Sequence, residues 1–240
     1  MTTKHIDGWL HDSVMDYVKQ IDEIQKELKV KGNIAEIGVH HGKFFIPLAQ
    51  LNKEGINIAA DLFENQEENI SQSGKGDSNA FFKNCKDFEI KNVLSIKENS
   101  LNLTAEDFVI NQEQIRIFSV DGGHFTKEVL NDLDIAIHSL ALGGVIIVDD
   151  FQHPGWDDVF SATLKYLFDN KSVVPFLMGG NKLFLVGSTY LEYYQNLKGT
   201  LTWEDYKKTV IMSSEARQLL KVQTLYGMFP NVQLFPENQW

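Results

Sequence analysis

Apolar residues recur at intervals of three and four from Ser13 to Leu28. Val14, Tyr17, Val18, Ile21, Ile24 and Leu28 therefore share one helical face. Ser13 stands where an N-cap belongs, and Gly32 follows the end of the pattern. The pattern then changes to short, nearly continuous apolar runs, which read as buried strands: Ile34 to Ile37, Ile56 to Ala60, Val93 to Ile96, Ile115 to Val120 and Val145 to Val148. Helical stretches are predicted at Phe44 to Leu51, Asn79 to Phe88, Lys127 to Leu140 and Trp156 to Phe168. Val173 to Leu177 and Leu183 to Val186 flank Gly179-Gly180-Asn181, the signature of a hairpin that adds an antiparallel edge strand.

Strands alternating with helices predict an α/β fold: a Rossmann-like, mostly parallel seven-stranded sheet with helices on both faces. Residues 1–190 make up this domain. Residues 191–240 read as a C-terminal helical extension packed on it, without another strand.

Composition narrows the function classes. A net charge of −11, from 22 basic and 33 acidic residues, opposes a phosphate backbone, so nucleic acid is not an expected partner. The single cysteine, Cys85, rules out an intramolecular disulfide and a cysteine metal site. The N-terminus has no apolar signal-like stretch, and the apolar run Gly143 to Val148 is far too short to span a bilayer. The expectation is a cytoplasmic protein with no membrane partner, compatible with a homo-oligomer.

Open parallel sheets bind ligands at the carboxyl ends of their strands. The first strand ends in Glu36-Ile37-Gly38-Val39-His40-His41-Gly42-Lys43. Gly38 and Gly42 permit a tight turn and a close backbone approach to a ligand. Glu36 occupies the first glycine position of a dinucleotide fingerprint, which weakens a pyrophosphate reading. By itself the loop is also an ordinary β–α turn. Asp61 ends the second strand about twenty residues past the glycines, the spacing of a ribose-binding carboxylate. Leu62 follows it, and Asn99 and Ser100, past the third strand, are candidate neighbours of an adenine.

The fourth strand ends in Val120-Asp121-Gly122-Gly123-His124 and the fifth in Val148-Asp149-Asp150-Phe151. In a parallel sheet both clusters emerge at the ligand edge. Next comes His153-Pro154-Gly155-Trp156-Asp157-Asp158. His153, Trp156 and Asp157 could bind a sugar by ring stacking and hydroxyl hydrogen bonds. The same residues also fit a helix start, with Trp156 in the core.

Taken together, these stretches, with Asp61 to Gln66 and Ser73 to Asp77, resemble the class I S-adenosylmethionine-dependent methyltransferases. Within that set the chain is similar to sugar O-methyltransferases related to the macrocin O-methyltransferase group. The resemblance runs from about Ala35 to about Val159. It implies S-adenosyl-L-methionine held by Glu36, Gly38, His40, Gly42, Asp61, Leu62, Asn99, Ser100, Asp121 and Gly122. It also implies Mg²⁺ or another divalent cation on Asp121, Asp149 and Asp150, and His124 as the base. Some relatives carry Glu where this chain has Asp149. The expected partner is a small-molecule or glycan acceptor whose hydroxyl is methylated. The competing readings are an NAD-dependent oxidoreductase on the same sheet and a non-catalytic S-adenosylmethionine-binding subunit.

Overall fold

The computed structural model describes residues 2–195 and 197, together with 228, 229, 233 and 234. Each predicted element is present. Helix α1 (Val14–Glu27) precedes β1 (Asn33–Ile37), α2 (Phe45–Leu51), β2 (Asn57–Asp61), α3 (Ser78–Asp87) and β3 (Val93–Lys97). Then follow β4 (Ile115–Val120), α4 (Thr126–Ser139), β5 (Leu140–Val148), α5 (Asp157–Asp169), β6 (Val173–Gly179) and β7 (Lys182–Gly187). A single-turn helix α6 (Leu191–Tyr194) comes after β7.

The strands lie in the order β3-β2-β1-β4-β5-β7-β6, extended by a two-residue strand β8 (Gln233–Leu234) beside β6. All neighbours are parallel except around β7, which runs antiparallel to both β5 and β6. Two expectations are corrected here. The antiparallel strand is inside the sheet, because β7 turns back from β6 to fill the place beside β5. The C-terminal extension is also not wholly helical, since β8 pairs with Leu177 and Met178 of β6. Apart from α6, Gln195, Leu197, Met228, Phe229 and β8, the extension 191–240 lies outside the described residues.

Side-chain alternation explains the layering. In β5, Ile146 and Val148 join the core formed with α4 and α5, whereas Val145 and Ile147 join the core under α1. Both faces of the central strands are apolar, as a sheet covered on both sides requires. Helix α1 buries Val14, Tyr17, Val18 and Ile21, the stripe read from its periodicity. The order in which strands are added reverses between β1 and β4: β2 and β3 lie to one side, β5 and the hairpin to the other. Strand tips diverge at such a switch point, leaving a crevice at the carboxyl edge.

Candidate functional site

A cleft of about 840 Å³ opens at that edge. Glu36, Gly38, His40, Asp61, Leu62, Asn99, Ser100, Asp121, Gly122, His124, Asp149, Asp150, His153 and Trp156 all line it. Residues from five strand tips thus meet as the parallel sheet requires. Two expected residues lie outside the lining. A side chain at Gly42 would point at Phe81 and Ile46, so this glycine serves the turn, where its N–H donates to the Val39 carbonyl at 2.7 Å. Asp157 begins the first turn of α5, away from the cleft.

Gly38 permits the closest approach. Its φ is +85°, and a Cβ there would sit 1.7 Å from the Asp121 carbonyl oxygen. No other residue type fits between the tips of β1 and β4. Asp61 braces the same loop: its carboxylate accepts the His40 N–H at 2.7 Å and the Phe63 N–H at 2.6 Å. Burial nevertheless pushes the Asp61 carboxyl above the usual range. Glu36 is 2% exposed. Its Oε1 accepts from the Ser119 hydroxyl at 3.1 Å, while Oε2 has no partner. Burial drives its carboxyl up to about 8.

On the other side of the crevice, His124 is 5% exposed and its Nε2 lies 2.7 Å from Asp150 Oδ2. Its Nδ1 is buried with no partner. Burial raises the Asp150 carboxyl, but the His124 hydrogen bond and charge outweigh it, and the net shift is downward. Asp150 therefore holds the ring through Nε2. Trp156 packs on this imidazole with ring centroids 4.5 Å apart and touches the core as well, as the helix-start reading of that residue expects. His153 stacks at 6.0 Å on its indole. Asp158 caps α4, accepting the Thr126 N–H and hydroxyl, each at 3.0 Å.

The expected metal trio is not gathered as a set. Asp121, His124 and Asp150 bring one donor atom each within 4.8 Å, but Asp149 is not in that group. Asp149 Oδ2 instead takes the Lys182 ammonium, and its Oδ1 accepts the Asp150 N–H at 2.7 Å. Asp150 Oδ1 accepts from Asn181 Nδ2 at 2.6 Å. Each of the four oxygens of the Asp149–Asp150 pair thus already accepts one hydrogen bond within the chain, so a divalent ion on this pair would have to share them with the Lys182 ammonium and the other donors. Burial and the neighbouring Asp149 hold the Asp121 carboxyl well above its ordinary value.

Lys182 was not foreseen from the sequence. A lone lysine after Gly-Gly-Asn reads as a hairpin residue, and only the β5–β7 register places it beside Asp149. Burial lowers the Lys182 ammonium, but Asp149 and Asp121 outweigh it and the net shift is upward. The N-terminal segment is also a finding of the structure: Asp7, Gly8, Trp9, Leu10 and His11 line the cleft beside His40. Asp7, His40 and His41 form a second group of donor atoms within 4.8 Å.

Residues 35–151 match the family model described as a methyltransferase domain. Among curated protein sequences, none matches the chain. Solved structures share the fold at low identity. The O-methyltransferase NovP has a TM-score of 0.59 at 13% identity, covering 73% of this chain and 79% of that one. CalS11, a TDP-rhamnose 3'-O-methyltransferase of calicheamicin biosynthesis, has 0.53 at 20%, covering 74% and 81%. The S-adenosylhomocysteine-bound methyltransferase PaMTH1 of Podospora anserina has 0.52 at 12%, covering 72% and 78%. Glu36 stands where a dinucleotide fingerprint needs glycine, which speaks against the oxidoreductase reading, and residues 35–151 of the chain carry a methyltransferase domain.

Proposed function

We propose that this enzyme methylates a hydroxyl group of a sugar or of a glycosylated natural product, with His124 as general base. The observation that carries the reading is the His124–Asp150 pair in the same cleft as the glycine loop. Bound in that cleft, S-adenosylmethionine supplies an electrophilic methyl group on its sulfonium. Gly38 lines the cleft at the tip of β1, and Asp61 offers its remaining lone pairs to ribose hydroxyls. The partnerless Glu36 Oε2 suits a cationic ligand group, which would draw the carboxyl pKa back down.

A sugar hydroxyl is a weak nucleophile at neutral pH, so a base must take its proton as the new bond forms. His124 Nδ1 is the ring nitrogen with an open lone pair. Asp150 fixes the tautomer through Nε2 and stabilises the imidazolium that results. Trp156 and His153 offer stacked ring faces of the kind that hold sugar rings. The O-methyltransferase activity named for NovP and the TDP-rhamnose 3'-O-methyltransferase activity named for CalS11 support the acceptor class by likeness of fold. No step here uses the divalent ion implied by the family resemblance.

The test pairs calorimetry with an acceptor screen. S-adenosylmethionine is expected to bind, and a panel of nucleotide sugars and glycosylated natural products is expected to yield a singly methylated product. Binding without any methylated sugar, but with methylation of simple phenols, would overturn the sugar assignment.

A further inference from the structure

Lys182 is the first residue of β7, and Leu183 pairs with Val148, so Lys182 stands next to Asp149 just beyond the tip of β5. It is 2% exposed. Its ammonium meets Asp149 Oδ2 and lies 4.7 Å from the centre of the Phe44 ring. Glu36, Asp121, Asp149 and Asp150 all line the cleft there, with Lys182 and His124 among them. Asp149 and Asp150, adjacent acids at this edge, repel one another unless a cation stands beside them. In this chain a side chain supplies it.

We propose that the Lys182 ammonium is the resident cation at the tips of β4 and β5, standing where a divalent ion would otherwise sit, so that this site takes up no divalent ion. Two observations point the same way. Lys182, the Asp150 amide, Asn181 and His124 place one donor on each of the four oxygens of Asp149 and Asp150, so any divalent ion would meet a resident donor at every one of them. An ammonium against Asp149 also repels any second cation brought to the same carboxylates, strongly so where water is excluded.

The arrangement gives Lys182 a positioning role. It holds Asp149, which holds the Asp150 backbone N–H. Asp150 sits at a φ of 53°, in the left-handed region that non-glycine residues rarely enter. That conformation directs its carboxylate to His124. The sequence Lys182, Asp149, Asp150, His124 is a continuous chain of contacts from the hairpin to the base.

Manganese binding tests this without an acceptor. Mn²⁺ stripped of other metals is titrated into the full chain, and the free-ion signal is followed by electron paramagnetic resonance. The wild-type protein is expected to leave the ion free up to about 1 mM at this site. Lys182→Met vacates the cation position and is expected to bind Mn²⁺ at least about tenfold more tightly than wild type. Adding Asp149→Asn to that variant is expected to abolish the gain. Wild-type uptake that Asp149→Asn or Asp121→Asn removes would overturn the proposal, as would a folded Lys182→Met protein that takes up no ion. Should Lys182→Met not fold, the wild-type titration with and without Asp149→Asn decides alone. Calorimetry with S-adenosylmethionine on the same samples keeps this outcome separate from the methyltransferase reading.

Discussion

His124 holds one imidazole nitrogen against Asp150, and the other has no partner among the described residues; under the proposed function that orients it as the base. His124→Ala is expected to leave S-adenosylmethionine affinity near its wild-type value and to lower kcat by about 10²- to 10⁴-fold. Calorimetry and initial rates on the first acceptor found check this, and an unchanged kcat reassigns the base. Asp61 braces the loop with both oxygens and, under the proposed function, also binds the ribose hydroxyls. Asp61→Ala is expected to weaken S-adenosylmethionine binding about 10- to 100-fold, the usual worth of hydrogen bonds to a charged group. An unchanged Kd would reduce Asp61 to a brace for the loop. The residue types at the strand tips were legible in the sequence, because a parallel sheet delivers every carboxyl end to one edge. Lys182 was not legible. Nothing local marks a lysine as buried.

At the scale of elements, two turns set the geometry. The β1–α2 turn passes so close to the tip of β4 that only glycine fits at position 38. Gly38→Ala is expected to cost more than about 3 kcal/mol, through both the clash and the positive φ. A thermal melt that shows no loss would mean the two strand tips can separate freely. The β6–β7 turn has Gly180 and Asn181 both at positive φ, the pairing of a two-residue hairpin whose twist suits its strands. Asn181 reaches further, donating to Asp150 and accepting from the Gln152 N–H at 3.1 Å. Asn181→Gly keeps the turn conformation and removes a partner of Asp150. Its expected result is a melting temperature near wild type with kcat reduced about tenfold, from the loss of one hydrogen bond to a charged group. Equal loss of stability and rate would make Asn181 a turn residue only.

For the molecule as a whole, one buried acid ties stability to pH. Asp132 on α4 is 0% exposed and lies beneath Gly122, with Oδ2 unpartnered. Burial raises its carboxyl from 3.8 to about 7. The folded state therefore holds this proton across the window in which the unfolded chain has released it. Its stabilising effect is complete below about pH 4 and is lost as pH rises through about 7. Asp132→Asn is expected to flatten that part of the profile. Relative to its own value at pH 5, it should lose less stability by pH 8 than wild type does, by an amount on the order of a few kcal/mol. Urea melts at the two pH values measure the difference, and parallel profiles would show that Asp132 is ionised in the folded protein.

The order of strands and helices, the glycine loop and the acids at the sheet edge were settled by the sequence alone. Each depends on local periodicity or on residue types at element ends, and a parallel sheet converts those into place without further information. The partner of each strand tip was decided only by the tertiary structure. Antiparallel pairing of β7 beside β5 brings Lys182 to Asp149, 33 residues away, and packing of the N-terminal segment brings Asp7 to His40 and His41. Such meetings depend on inter-strand register and on which surfaces cover one another. Those are sums over many weak contacts distant in sequence, and no short stretch of residues encodes them.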